Sequence, residues 1–227
     1  MKKFWVYLSI AAISLSLFMA SCSNSSTSQK NLFLLKEGNF WNYHGSFNGK
    51  TLNPRMEVLK VMKEGDITFA LMKGFPTDVM EGENWEAGLW GLIAVNGHYY
   101  RVTGSRVDSI RNKLLDTTGV HSGLVTDADL FMTALYDTGQ VYGEASQLTR
   151  TDGNYFWKVT EKKAWEASSI KGLKVPGPFD RFTLNFNTVA DETIIDIVPG
   201  VGIVRYRYCH HGTPGELDMK LVEAEIE

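Results

Sequence analysis

Short apolar runs that alternate with polar residues dominate this chain, and turn residues separate them. That period-2 pattern predicts half-buried strands. Phe40-Trp41-Asn42-Tyr43 opens the pattern. Met56 to Val61 and Ile67 to Leu71 flank Lys63-Glu64-Gly65-Asp66, which predicts a hairpin with a glycine-containing turn. Leu89 to Val95 and His98 to Thr103 flank Asn96-Gly97, the residues a type I′ turn prefers because both tolerate positive φ. One segment has helical spacing: Ser105 to Leu115 places Val107, Ile110 and Leu114, with Arg111, on one face. Ser105 and Asp108 fit an N-cap and its acidic N3 residue. A second short helix is expected over Asp127 to Ala134.

Strands return in the second half. Tyr155 to Thr160 and Lys163 to Ser168 flank what reads as a charged turn, and Gly172 to Pro178 reads as a loop. Phe182, Leu184 and Phe186 should face one way, Thr183 and Asn185 the other. Thr193 to Val198 and Gly202 to Tyr208 flank Pro199-Gly200. Leu217 to Ile226 closes the chain, with Glu223, Glu225 and Glu227 as a solvent-facing row. Lys36-Glu37-Gly38-Asn39-Phe40-Trp41 echoes Asp137-Thr138-Gly139-Gln140-Val141-Tyr142. Either two duplicated β subdomains or one sheet with a repeated lead-in turn would explain it. The expected fold is mainly β: an antiparallel curved sheet or half-barrel with one or two short helices. Two small β subdomains, with a seam near 117–127, are the alternative.

The first 30 residues break the pattern. Lys2 and Lys3 precede an apolar run from Phe4 to Phe18, which is shorter than the ~20 residues of a membrane span. Residues 1–21 therefore read as a signal peptide. Ser23 to Lys30 is small and polar and cannot bury a core, so 22–31 reads as a flexible tether. Residues 32–227 remain for the β-rich domain.

Met19-Ala20-Ser21-Cys22 resembles the lipobox of bacterial lipoproteins. The resemblance implies a lipid on the Cys22 thiol and cleavage before it. Two or more acyl chains hold a soluble domain stably at a bilayer. Ser23 in place of Asp after the cysteine implies the outer membrane, in an organism that has one. Val198 to Tyr208 with Glu216 to Val222, and Gly38 to Trp41, resemble the closing and opening strands of uncharacterised β-rich bacterial lipoproteins. That resemblance implies an antiparallel β domain and brings no activity.

Lys+Arg total 23 against 26 Asp+Glu. Loss of Lys2 and Lys3 with the leader makes the mature chain more acidic. Nucleic acid, whose binding rests on phosphate neutralisation, is therefore not an expected partner. With Cys22 lipidated, Cys209 is left alone and no disulfide framework is expected.

Cys209-His210-His211 is the most chemically suggestive cluster, since thiolate and imidazole suit Zn or Cu. Neighbours on a strand point to opposite faces, so the two imidazoles diverge unless a turn begins there. Glu216, His44, His98 or His121 are the residues that could complete a shell. The default reading is a hairpin end with a small core-type cysteine, and no metal or other cofactor is expected. Asp78 to Trp85 meets neither the carboxylate pairing of glycosidases nor a Ca²⁺-loop pattern. Asp127 and Asp129 read as helix-start residues. The chain has no P-loop, Gly-x-Ser-x-Gly or His-Glu-x-x-His motif.

The adjacent aromatics Tyr99-Tyr100 and Phe156-Trp157 must put one ring on each face of a regular strand. The reading that follows is a lipid-anchored, non-enzymatic ligand-binding or assembly module of the cell envelope. Its partners are the membrane, through the N-terminal lipid, and an apolar ligand or an envelope protein. A hydrolase or metal-dependent enzyme using the 209–216 region is the alternative.

Overall fold

The computed structural model describes residues 31–77, 88–115, 125–126, 129–134, 137–167, 169–175, 177–212 and 215–227. The leader, Cys22, the acidic stretch 78–85, His121 and most of the expected seam lie outside the described residues.

The described strands are β1 (Phe40–Phe47), β2 (Lys50–Leu52), β3 (Arg55–Glu64), β4 (Ile67–Lys73), β5 (Leu89–Val95), β6 (His98–Thr103), β7 (Leu130–Thr133), β8 (Val141–Tyr142), β9 (Trp157–Trp165), β10 (Phe179–Asn187), β11 (Asp191–Val198), β12 (Gly202–His210) and β13 (Glu216–Glu225). One described helix, α1 (Ser105–Leu115), follows β6. The strands form one antiparallel sheet in the order β7-β6-β5-β4-β3-β1-β13-β12-β11-β10-β9-β8, with β2 paired to β1 off this path. The sheet curls into a nearly closed barrel. Its edges β7 and β8 meet through side chains: the Tyr142 hydroxyl donates to the Phe131 carbonyl at 3.3 Å, and the Gln140 amide to that of Ala134 at 3.0 Å. The alternative of two β subdomains is thereby replaced by one sheet. The reason is the full-length pairing of β1 with β13, which joins the halves through eight residues of β1.

The core lies inside the barrel, and every strand of the main path contributes buried residues to it. Trp41 and Tyr43 of β1, Met56 and Val58 of β3, Leu184 of β10 and Met219 of β13 are examples. Leu32 and Phe33 cap it, with the Phe33 ring edge-on to Trp41 and Tyr99. The opposite face of β4, β5 and β6 carries Phe69, Ile93 and Val102, which Val107 and Ile110 of α1 cover. Gly91 makes this layer possible, because a Cβ there would meet the Phe69 ring and Val102. Tyr99 and Tyr100 divide between the layers, Tyr99 inside and Tyr100 packed near the helix.

Both predicted tight turns form. Asn96 and Gly97 have φ of 51° and 77°, and Gly65 also lies at positive φ. Three expectations need correction. Residues 157–165 are one continuous strand and not two strands around a charged turn; Thr160 is accommodated in a bulge opposite Thr183/Leu184. Its charges are held at the surface, where Glu161 pairs with Lys163 and with Arg181 across the strand. Leu130–Thr133 is a strand and not helix, because the open edge of β6 offers it a ladder. Arg111 does not join the buried face of α1: it pairs with Asp108 in solvent, and the residue before the helix is Gly104, whose carbonyl accepts from Val107.

The echo between Gly38 and Gly139 is a structural repeat. Both glycines lie at positive φ, 88° and 94°. Gly38 N donates to Val58 O and Val58 N to Asn39 O; Gly139 N donates to Val159 O and Val159 N to Gln140 O. Trp41 pairs with Met56 as Tyr142 pairs with Trp157. Each buried valine is followed by a bulge. These equivalences run without a gap from Gly38/Gly139 to Val58/Val159. The two halves differ at their closures. β1 completes a ladder with β13, whereas two-residue β8 and four-residue β7 leave theirs unbuilt.

Candidate functional site

The 209–216 region does not gather a site. The His210 Nδ1 lies 2.7 Å from Asp191 Oδ1, which also accepts from the Tyr208 hydroxyl at 2.6 Å. The Tyr208 phenol is pushed up to about 12, first by that carboxylate and then by burial. The same two hydrogen bonds hold the Asp191 carboxyl below its ordinary value. Cys209 pairs across the ladders with Glu192 and Glu216 and lines a shallow hollow with them. His211 is exposed, its backbone N–H bonded to Ala190. His44 contacts Asn53 and His98 contacts Thr133, each on its own part of the sheet. Among the described residues no three His, Cys, Asp or Glu side chains converge as metal ligands.

A larger cavity lies elsewhere, at the unbuilt closure. It holds about 440 Å³, within the range of small-molecule sites. Four half-buried aromatics line it: Phe131 from β7, Tyr155, Trp157 from β9 and Phe186 from β10. The Trp157 ring packs at 5.1 Å from Phe186 and edge-on at 6.2 Å to Phe131, with Tyr142 stacked behind it at 6.3 Å. Tyr155 holds φ at 68°, and its N–H donates to Asn187 O. A bulky residue in that region carries backbone strain; here it presents the ring to the cavity.

The polar lining comes from Arg101, Thr103, Asp129, Glu144 and Gln147. The Arg101 guanidinium lies 3.8 Å from the centre of the Phe75 ring and 5.7 Å from that of Trp90. Such stacking fixes a cation over an apolar floor. Phe75 is itself held edge-on by Trp90, Phe131 and Tyr206. Burial pushes the Tyr206 phenol up to about 12 against the pull of Arg101, so it stays neutral at working pH. Asp129 is tied to Arg106 of α1 through both carboxylate oxygens and accepts from Thr126. Burial opposes its charge, but those bonds prevail and hold its carboxyl low.

Sequence reasoning missed this site. Strand parity alone places Arg101 on the core face with Tyr99, and an arginine there is the signal. Extending the Gly38/Gly139 echo two residues past the tryptophan and tyrosine reaches Glu144. What no pattern shows is that β6, β9 and β10 curl to face one another.

No protein-family model matches this sequence, and no curated protein matches it. Among solved structures the chain is similar to a candidate lipoprotein from Parabacteroides distasonis, at 14% identity and a TM-score of 0.43, over 86% of this chain and 98% of that one. It is also similar to a candidate exported protein with a YmcC-like fold from Bacteroides fragilis, at 12% identity and a TM-score of 0.41, over 86% of this chain and 99% of the other. At these values neither similarity assigns a function to this chain.

Proposed function

We propose that this chain is a lipid-anchored envelope protein, held at Cys22, whose β-barrel domain binds a small ligand in the cavity at the unbuilt closure. The cavity carries the reading. At the built closure Trp41 and Tyr43 are fully buried, whereas here four rings stay half-buried around a stacked arginine. Leaving apolar rings partly wet forgoes burial worth about 25 cal/mol per Å², a cost that an occupant would offset. The leader pattern and the Ser23 position support placement at the outer membrane, in an organism that has one.

Native mass spectrometry of the mature protein from its own host's envelope tests the ligand. A reproducible mass that denaturation removes is expected. A bare mass would turn the reading towards assembly with an envelope protein, as would a bound mass that Phe186→Ala leaves unchanged. Metabolic labelling with an alkynyl fatty acid tests the anchor: label is expected on the wild type and absent from Cys22→Ser.

A further inference from the structure

Resting on that cavity reading, we infer that the occupant is a neutral saccharide, with a C–H face on the Trp157 and Phe186 rings and its hydroxyls on Thr103, Glu144 and Gln147. The repeat shows that this lining is a local replacement. In the built closure, Tyr43 stands two residues after Trp41, is 1% exposed, and its hydroxyl donates to Ile203 O. The gapless equivalence makes Glu144 the counterpart of Tyr43, and Trp157 that of Met56. Leu184 pairs with Val159 as Met72 pairs with Val58, so Phe186 stands where the other half has Gly74. One half fills its closure with a tyrosine. The other puts a carboxylate there and adds two rings around open space. Tyr142 stacks behind Trp157 with its ring 13° from parallel, which leaves one indole face towards the cavity.

The lining selects the ligand class. An acyl chain would cover Thr103, Glu144 and Gln147 with apolar surface, and each is costly to desolvate without a partner. An anionic ligand would meet the Glu144 and Asp129 carboxylates, while the nearby cations are already engaged: Arg106 on Asp129, Arg101 over the Phe75 and Trp90 rings. A quaternary ammonium suits aromatic faces, but it has no N–H or O–H to offer the amide and the hydroxyl. A neutral saccharide matches the whole lining. Its C–H faces lie on the rings, and its hydroxyls both donate and accept, as the Gln147 amide and the Thr103 hydroxyl do. Ser146 donates to one Glu144 oxygen at 2.8 Å, and a carboxylate has acceptor capacity well beyond one bond. A sugar hydroxyl donating to it makes a charge-assisted bond, about twice as strong as a neutral one, so Glu144 ranks first among the polar contacts.

The test is native mass spectrometry of the mature protein from its own host's envelope, with fragmentation of whatever denaturation releases. Hexose or N-acetylhexosamine residues without carboxylate or phosphate are expected. Serial dilution of the complex then gives the concentration at which half the glycan is lost. Glu144→Gln keeps the shape and removes the charge, and should raise that concentration at least about tenfold; Gln147→Ala should raise it at least about threefold. Glu144 is exposed and Gln147 half-buried, so both variants should fold, which circular dichroism checks. A glycan whose release neither variant changes would overturn the inference. So would a charged glycan, a lipid, a peptide or a nucleotide in its place. In those cases the cavity reading stands if Phe186→Ala loses the molecule and falls if it does not. If no molecule is released, both fail.

Discussion

Tyr43→Phe removes one oxygen from the built closure and nothing else. The ring is 1% exposed, and its hydroxyl donates to the Ile203 carbonyl at 3.1 Å. Burial pushes the phenol above its ordinary range, so it is a neutral donor throughout the working pH range. Its loss takes away one hydrogen bond and leaves a carbonyl with less than its buried complement, a cost of about 1–3 kcal/mol. For a domain of this size each kcal/mol moves Tm by about 2–4 °C, so a fall of about 2–12 °C is expected. The counterpart variant, Tyr142→Phe, also keeps its ring and its stacking on Trp157. It loses a 3.3 Å bond to the edge strand β7, close to the limit of useful length, and about 0.5–1 kcal/mol is expected. The assay is thermal and urea unfolding of both variants followed by near-ultraviolet circular dichroism. The urea slope should not change, since neither variant alters the surface exposed on unfolding. If Tyr142→Phe destabilises as much as Tyr43→Phe, the two closures are energetically alike. The account of an unbuilt closure freed for binding would then be wrong.

Other outcomes follow from the same geometry. A Cβ on Gly45 would drive into the Asp218 carbonyl and the Met219 backbone, so Gly45→Ala should cost at least about 3 kcal/mol, the upper end of overpacking; unfolding midpoints check this. Glu144→Tyr should partly refill the cavity, abolish the bound mass and leave Tm unchanged or higher, whereas retained ligand would place the site elsewhere. Arg205 hydrogen bonds hold the Asp218 carboxyl below its ordinary value. That contribution is complete above the unfolded carboxyl value of about 3.9 and is lost as pH falls through the lower folded value. Urea midpoints at pH 7 and pH 3 should therefore fall further for the wild type than for Arg205→Gln; parallel falls would mean that the pair is screened out.

Much of this protein was legible in local pattern. Alternation located the strand Phe182-Leu184-Phe186 with its correct faces, Asn96-Gly97 located a tight hairpin, and the spacing of Val107 and Ile110 located the buried face of α1. Each depends on periodicity or on a residue's own backbone preference, which the chain carries without its neighbours. The corrections arose where a distant partner overrode those signals. The charges of Glu161 and Lys163 suggest a turn until Arg181 on the adjacent strand offers a cross-strand partner. Leu130–Thr133 becomes a strand because β6 has an unpaired edge beside it. The Cys209-His210-His211 run looked like chemistry because the residues adjoin in sequence, but a pleated strand sends neighbours apart, and Asp191 takes His210. Arg101, Glu144, Trp157 and Phe186 lie far apart in the chain and meet only because the sheet curls through two repeats. Whether a repeat closes with a ladder or with a cavity depends on how long its edge strands pair, a property of facing backbones that no single segment contains.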